Sequence, residues 1–297
     1  MDRLKVGGSL VSISAAILDP KNSWTGRYQV QDVSLITLSI QPSIGLRLTD
    51  WLSVGLAGNV TYGNMNMKVA VPTLPGTPDG QVHLDGLSDW ALAAGASFLL
   101  EPTESTRIGA SWFSGVDLKL SGDIKLQNVP ASTTLDTEIP LVQFVQASVY
   151  QDITESFAVV GQFGWENWSQ FDEQWVRTPN TGLPISRNWD DTYSVALGFH
   201  YRPTDRWLLQ IGSKFDTSPT SAKDRTADLP IDQQIRASVG FQWDKSERIK
   251  LGGAFTYANY GQAKIASPGA LGLIGDYSSN NLFFLAFHFT WRSEPKG

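Results

Sequence analysis

Few residues in this chain are equipped for covalent chemistry. Its 297 residues include three histidines and no cysteine. A serine-type hydrolytic site needs a His, a nucleophilic hydroxyl and an orienting carboxylate or amide within mutual reach. His83 falls in a loop, while His200 and His288 sit in strand-like segments and read as pointing away from the apolar rows. No metal-ligand spacing and no glycine-rich phosphate loop is present. The chain is therefore expected not to be an enzyme and to use no cofactor. Charge is a second resource: Arg47, Arg107, Arg202 and Lys250 each stand beside a short turn. The bland reading pairs them with turn carboxylates such as Asp50, Glu104, Asp205 and Glu247. The functional reading is a positive collar that attracts an anionic headgroup.

The third resource is grease where water is expected. A long connection over Gly63–Gly86 carries Met65, Met67, Val69, Val71 and Leu74; the segment after Trp168 carries Phe171, Trp175, Val176 and Leu183; a late one carries Ile265, Leu271, Leu273 and Ile274. Apolar side chains gathered on several loops mark a binding surface, and methionine suits flexible apolar ligands. The competing reading is that these loops pack on one another and plug whatever they cover.

The elements that must position these groups are strands. From Thr192 to Phe215, Val195, Leu197, Phe199 and Tyr201 form one row, and Ala196, Gly198, His200 and Arg202 the other. A turn at Pro203–Asp205 follows, after which Trp207, Leu209 and Ile211 alternate with small and polar residues. A period of two makes this a hairpin with one oily face. The same pattern recurs over Leu4–Leu18, Leu35–Leu48, Trp51–Tyr62 and Asp89–Leu100, then Thr106–Leu120, Pro140–Tyr150 and Phe157–Trp168. It returns over Gln234–Trp243, Ile249–Tyr260 and Asn280–Trp291. About 12 strands result, with short turns alternating with long loops, as in an antiparallel up-and-down transmembrane β-barrel. Pro42 predicts a local irregularity, because it has no N–H for the ladder.

Aromatics agree with this topology. Trp51, Tyr150, Phe157, Tyr201, Trp207, Trp243 and Trp291 lie at the short-turn ends, and Tyr62, Trp112, Trp165, Tyr193 and Tyr257 at the opposite ends. Such belts settle at the two lipid–water boundaries. The hydrophobic fraction of 41% looks soluble, but a barrel shows lipid only alternate residues and escapes hydropathy plots. A soluble β-sandwich would alternate too, yet it would not sort its connections into short and long so regularly. The net charge of −6 and the lack of a basic stripe argue against nucleic acid as a partner.

Several stretches resemble one family. Trp24–Tyr28 (WTGRY), the hairpin LSIQPSIGLRLTDWLSVGLAGNVTYG, Trp168–Phe171 (WSQF) and Phe215–Gly240 resemble FadL-type outer-membrane transporters of long-chain fatty acids and other hydrophobic compounds (OmpP1/FadL/TodX). The resemblance covers essentially the whole chain. It implies a Gram-negative outer membrane, a 14-stranded family barrel of which strands three to fourteen are present, and a hatch that is missing. The chain would then be an N-terminally truncated single barrel domain, which also accounts for the absence of a secretory leader. The implied mechanism is capture of an apolar ligand by extracellular loops, transfer to a deeper site, and sideways exit into the membrane at a kinked strand. That strand resembles residues 7–20, so Ser12, Ser14, Ala15 and Ala16 mark the lateral gate; Ala15 stands where a Gly is expected. Lys68 lies near a position that meets the ligand carboxylate, and Asp190 replaces a Lys expected at another. The implied partners are a long-chain fatty acid or other hydrophobic molecule and outer-membrane lipid, with the protein as a monomer. The alternatives are a general porin for small polar solutes, a non-transporting structural barrel, and a barrel phospholipase, for which no His-Ser-Asn arrangement is visible.

Overall fold

Strands whose side chains alternate between apolar and small build a two-faced wall when each pairs with the next. The computed structural model describes residues 3–12, 15–20, 23–74, 76–126, 132–267 and 272–292. The first wall strand comes in two pieces, β1 (Leu4–Val11) and β2 (Ala15–Leu18), both antiparallel to β3 (Asp32–Arg47). The wall continues through β4 (Leu52–Val71), β5 (Gly80–Leu100) and β6 (Thr106–Phe113). An excursion then forms the hairpin of β7 (Val116–Leu126) and β8 (Ser132–Leu141). Wall strands β9 (Phe144–Asp152) and β10 (Phe157–Glu166) follow. A second excursion makes β11 (Glu173–Thr178) and β12 (Thr181–Ser186), and β11 pairs back to β8.

The remaining wall is β13 (Thr192–Thr204), β14 (Trp207–Asp216), β15 (Gln234–Asp244) and β16 (Ile249–Asn259). After the short strands β17 (Ile265–Ala266) and β18 (Ile274–Gly275), which pair only with each other, β19 (Asn281–Trp291) ends the run beside β16. With β1 and β2 counted as one interrupted strand, the wall has twelve strands among the described residues: β1/β2, β3 to β6, β9, β10, β13 to β16 and β19. That is the number expected from the sequence.

The two faces separate as the alternation requires. Ile36, Leu38, Ile40 and Ile44 of β3, Tyr193, Val195 and Leu197 of β13, and Phe283, Leu285 and Phe287 of β19 are exposed, the last 86%. Their alternates Thr37 and Ser39 are buried, and Ser39 Oγ lies 2.8 Å from Thr61 Oγ1 on the neighbouring strand. Apolar rows of this length are tolerated in acyl chains rather than water. The irregularity at Pro42 is present: the β3–β4 register runs Ile40↔Val60 and resumes at Ser43↔Ala57. Trp51, Tyr201, Trp207 and Trp291 are exposed near the short turns, and Trp112, Tyr193 and Tyr257 near the other boundary. Tyr150 departs from its expected place. It faces inward, donates to Asp152 Oδ1 at 2.7 Å and lies under the Arg107 guanidinium at 4.9 Å.

Two further expectations are corrected. The stretch Gly63–Gly86 is a loop only between Val71 and Gly80, since β4 and β5 keep pairing through Met65↔Leu87, Met67↔Leu84 and Val69↔Val82. The predicted strand from Thr106 to Leu120 breaks after Phe113. Gly115 adopts φ 79° there, and a Cβ on it would lie 2.7 Å from Leu141 O, so only glycine turns this corner without strain. Beyond it β7 leaves β6 and pairs with the outer half of β5 (Leu84↔Ile124), while β6 holds the inner half (Phe98↔Ala110).

Candidate functional site

The outer half of the lumen is filled with apolar side chains. Val33 and Leu35 of β3, Met65 of β4, Leu87 of β5, Phe113, and Val116, Leu118 and Leu120 of β7 form one buried cluster with Leu135 and with Ala227, Ile265 and Leu273 from the late loops. Met67, Trp24 and Val176 pack against it. For these residues the plug reading of the greasy loops holds. The expected capture set is divided rather than gathered. Met65 is buried and Met67 and Val69 are half-buried on the inward side of β4. Phe171 is buried in a separate aromatic nest, 5.2 Å from Trp189 and edge-on to it. Trp175 lies half-buried, with its indole N–H donating to Glu173 at 2.8 Å and Arg177 over its ring at 5.0 Å. Leu74 and Leu183 remain exposed, at 78% and 64%. Ile274 is exposed as well, and Leu271 lies outside the described residues. Lys68 is exposed and its ammonium sits 3.5 Å from the Asp32 carboxylate. Asp190 is also exposed.

Below the plug the lumen opens into a cavity of about 470 Å³ lined by Lys5, Gly7, Gln41, Ser43, Ala57 and Ser97, with Phe113 and Phe144 among its walls. The two rings stack at 5.3 Å. Phe113 belongs to both the plug and the cavity wall, so one apolar side chain joins the two compartments.

The segment expected to be a gate coincides with a break in register. Val11 pairs with Ser39 and Ala15 with Ile36, so the register of β2 on β3 is offset by one residue from that of β1. One extra residue in a strand bends it and moves the following side chains to the other face. Before the break Lys5, Gly7 and Ser9 lie opposite inward residues of β3; after it Ala16 and Leu18 do, and both pack against the apolar cluster. Ser12 is exposed, Ala15 pairs with Ile36, and Ser14 lies outside the described residues.

The expected collar is mostly neutralised. Arg47 and Arg107 both lie 3.7 Å from Glu101, and Lys250 lies 3.2 Å from Asp244. These are not the carboxylates anticipated from the turns, although Arg47 also donates to the backbone oxygen of Asp50. Arg202 is exposed and shares a surface depression with Glu104, Arg107, Asp152 and Glu155.

Sequence reasoning missed the groups that hold the loops together. Arg187 is buried, reaches Asp228 Oδ2 at 2.8 Å and Gln174 Oε1 at 2.6 Å, and lies over Phe171 at 5.1 Å. Burial alone would push the Asp228 carboxyl up, but the charge and hydrogen bonds of Arg187 outweigh it and hold the group below the usual carboxylate range. Arg225, also buried, donates to the carbonyls of Thr220, Ile231 and Lys264 and lies 3.3 Å from Asp232. Tyr277 donates to Ala227 O at 2.8 Å, and burial, helped by the Asp228 charge, pushes its hydroxyl up to about 12. The stretch WTGRY works the same way: Trp24 donates to Val30 O at 2.8 Å and Arg27 binds Asp79 at 2.8 Å. The signal was present in the sequence, since Trp24–Tyr28 and Phe215–Gly240 carry the family resemblance, but charge partners 41 residues apart give no local pattern.

Residues 1–287 match the family of outer membrane protein transport proteins (OMPP1/FadL/TodX). The chain belongs to this family. Among related OMPP1/FadL/TodX proteins, the long-chain fatty acid transport protein of Salmonella typhi is 22% identical over 92% of this chain and 72% of its own length. That of Escherichia coli K12 is 22% identical over 92% and 73%. A Pseudomonas aeruginosa FadL homologue superimposes with a TM-score of 0.83 at 15% identity, covering 97% of this chain and 74% of that one. The Ralstonia pickettii toluene transporter TbuX gives 0.70 at 16% identity, covering 87% and 74%. The fold is that of an OMPP1/FadL/TodX outer-membrane β-barrel, and the location is the Gram-negative outer membrane.

Proposed function

We propose that this barrel carries hydrophobic compounds across the outer membrane, taking them up through its extracellular loops and releasing them sideways into the bilayer at the interruption between β1 and β2. The observation that carries this reading is continuity. The apolar cluster includes Met65 and Leu118 beneath the loops, reaches Phe113 at the cavity, and touches Ala16 and Leu18 beside the register break. A ligand moving along it exchanges apolar neighbours without meeting water, which is what a passage for such compounds requires. The names of the relatives, fatty acid transport proteins and toluene transporters, support the same class. A general porin fits less well, because a polar solute would have to cross the fully buried Leu118 and Leu120.

Within that class neutral compounds fit the charged residues best. Lys68 is already paired with Asp32, and Asp190 presents a like charge to any carboxylate. The protein acts as a monomer surrounded by lipid, with Arg202 exposed on the basal collar where an anionic headgroup would meet it.

Detergent-purified protein is expected to bind a long-chain fatty acid or an alkylbenzene saturably. Met65→Asn, Met67→Asn or Trp175→Gln should weaken that binding, Met65→Asn the most, by about tenfold, since it strands a polar group in an apolar contact. Deleting Ser12, which restores residue-for-residue pairing with β3, should leave binding intact and slow delivery into vesicle lipid. Unchanged binding in all three substitutions removes the loop-capture step. Unchanged delivery in the deletion removes lateral exit.

A further inference from the structure

Among the buried side chains with polar atoms that lack a partner in the described residues, Asn59 is the one with two such atoms. It stands on the inward row of β4 between Ala57, which lines the lumen cavity, and Thr61, which is fully buried. Asn59 is 1% exposed, and neither its Oδ1 nor its Nδ2 has a hydrogen-bond partner among the described residues. Its neighbours do not share this condition, since Ser39 and Thr61 bond to each other at 2.8 Å. A primary amide shut away from water without a partner costs free energy that a leucine of similar size would not. A fold keeps such a group at a cost unless something outside the chain completes it.

The position says what passes by. The β3–β4 ladder skips a step at this level, leaving Gln41 and Pro42 opposite Gly58 and Asn59. Ser39, on the same inward face, is the register partner of Val11, the last β1 residue before the strand interruption. Asn59 thus stands on the polar row Thr37, Ser39, Gln41, Thr61, between the cavity and the break, and none of these side chains carries charge.

We propose that Asn59 is a specificity-determining residue that reads an uncharged hydroxyl on the transported compound. The inference rests on the transport reading above. An amide presents a donor and an acceptor side by side, and a hydroxyl, which both donates and accepts, completes it. A plain hydrocarbon leaves both atoms bare. A carboxylate accepts only, so it can take the Nδ2 hydrogens but leaves Oδ1 bare, and no cation on the row offsets its desolvation. Hydroxylated hydrocarbons are therefore preferred over their parent compounds and over their ionised acids.

The test is uptake into proteoliposomes of a matched pair, an alkylbenzene and the alkylphenol of the same skeleton, by wild type and Asn59→Leu. Removing an unsatisfied amide does not threaten folding. Wild type is expected to favour the phenol, and Asn59→Leu to lower the phenol-to-hydrocarbon ratio about tenfold, with hydrocarbon uptake preserved or raised. An unchanged ratio with both uptakes intact means that Asn59 holds only an ordered water, and the proposal falls while transport stands. An equal loss of both compounds in the variant assigns Asn59 a structural role and overturns it as well. If wild type takes up neither compound, the transport reading fails first and this one with it.

Discussion

Replacing Asp228 with Asn is expected to release the extracellular loops from one another. Arg187 and Asp228 are both largely buried and tie β12 to the loop after β14, so the substitution leaves a guanidinium inside the protein with Gln174 and the Phe171 ring but no counter-charge. Removing one partner of a buried pair costs about 3–5 kcal/mol, most of it the stranded charge. The double variant Arg187→Met with Asp228→Leu should recover much of that loss, because an apolar pair of similar volume strands nothing. Limited proteolysis of residues 217–233 reads the effect directly. The same pair sets an acid limit. The Asp228 carboxyl is held below its ordinary value, so its contribution is fully present above the unfolded-state value of about 4 and is lost only as pH falls through the lower folded-state value. The loops should resist protease at about pH 5 and become susceptible well below about pH 4. Equal susceptibility of wild type and Asp228→Asn at neutral pH would show that the pair holds nothing.

The second large effect is expected from Gly122→Val on β7. A Cβ at Gly122 would lie 2.9 Å from Leu87 Cα, 3.0 Å from Leu87 N and 3.1 Å from Asp85 O, all backbone atoms that cannot swing aside. The hairpin β7–β8 must therefore lift from β5, taking Leu118, Leu120 and Ile124 out of the lumen. Overpacking of this kind costs about 1–3 kcal/mol locally. On the proposed transport reading the functional consequence is larger, because the plug then bars polar solutes. Vesicles carrying Gly122→Val should swell in sugar solutions that leave wild-type vesicles unchanged. Gly161→Val, where a Cβ meets nothing within 4 Å, is the matched control. No swelling difference between the two variants would separate the β7–β8 hairpin from any sealing role.

These two sites were not legible in the sequence, and the reason is physical. Along β3 and β13 a period of two reports lipid on one side and lumen on the other, so Ile36 through Ile44 and Val195 through Tyr201 could be assigned to the outward face directly. Above the membrane, lipid no longer selects the pattern. Met65 and Leu118 are apolar because they fill the plug, and their stretches read as a greasy loop and as a strand extension when they are a wall strand and a folded-in hairpin. The change of register between Val11 and Ala15 depends on counting partners across β3, which no residue type announces; only the family resemblance pointed there. The loop ion pairs join residues whose spacing in the chain carries no period at all. Nothing in the residue type of Asn59 distinguishes it within the stretch Trp51–Tyr62; its burial with both amide atoms unpartnered among the described residues appears only in the structure.

The most direct test of the account is uptake by proteoliposomes containing the wild-type protein, offered an alkylbenzene, a long-chain fatty acid and a small sugar in parallel. The hydrophobic compounds should enter faster than into protein-free vesicles and with saturation, the neutral one at least as well as the acid, while the sugar produces no swelling. Rapid swelling in sugar with no acceleration of either hydrophobic compound would contradict it, and would make the barrel a porin for polar solutes.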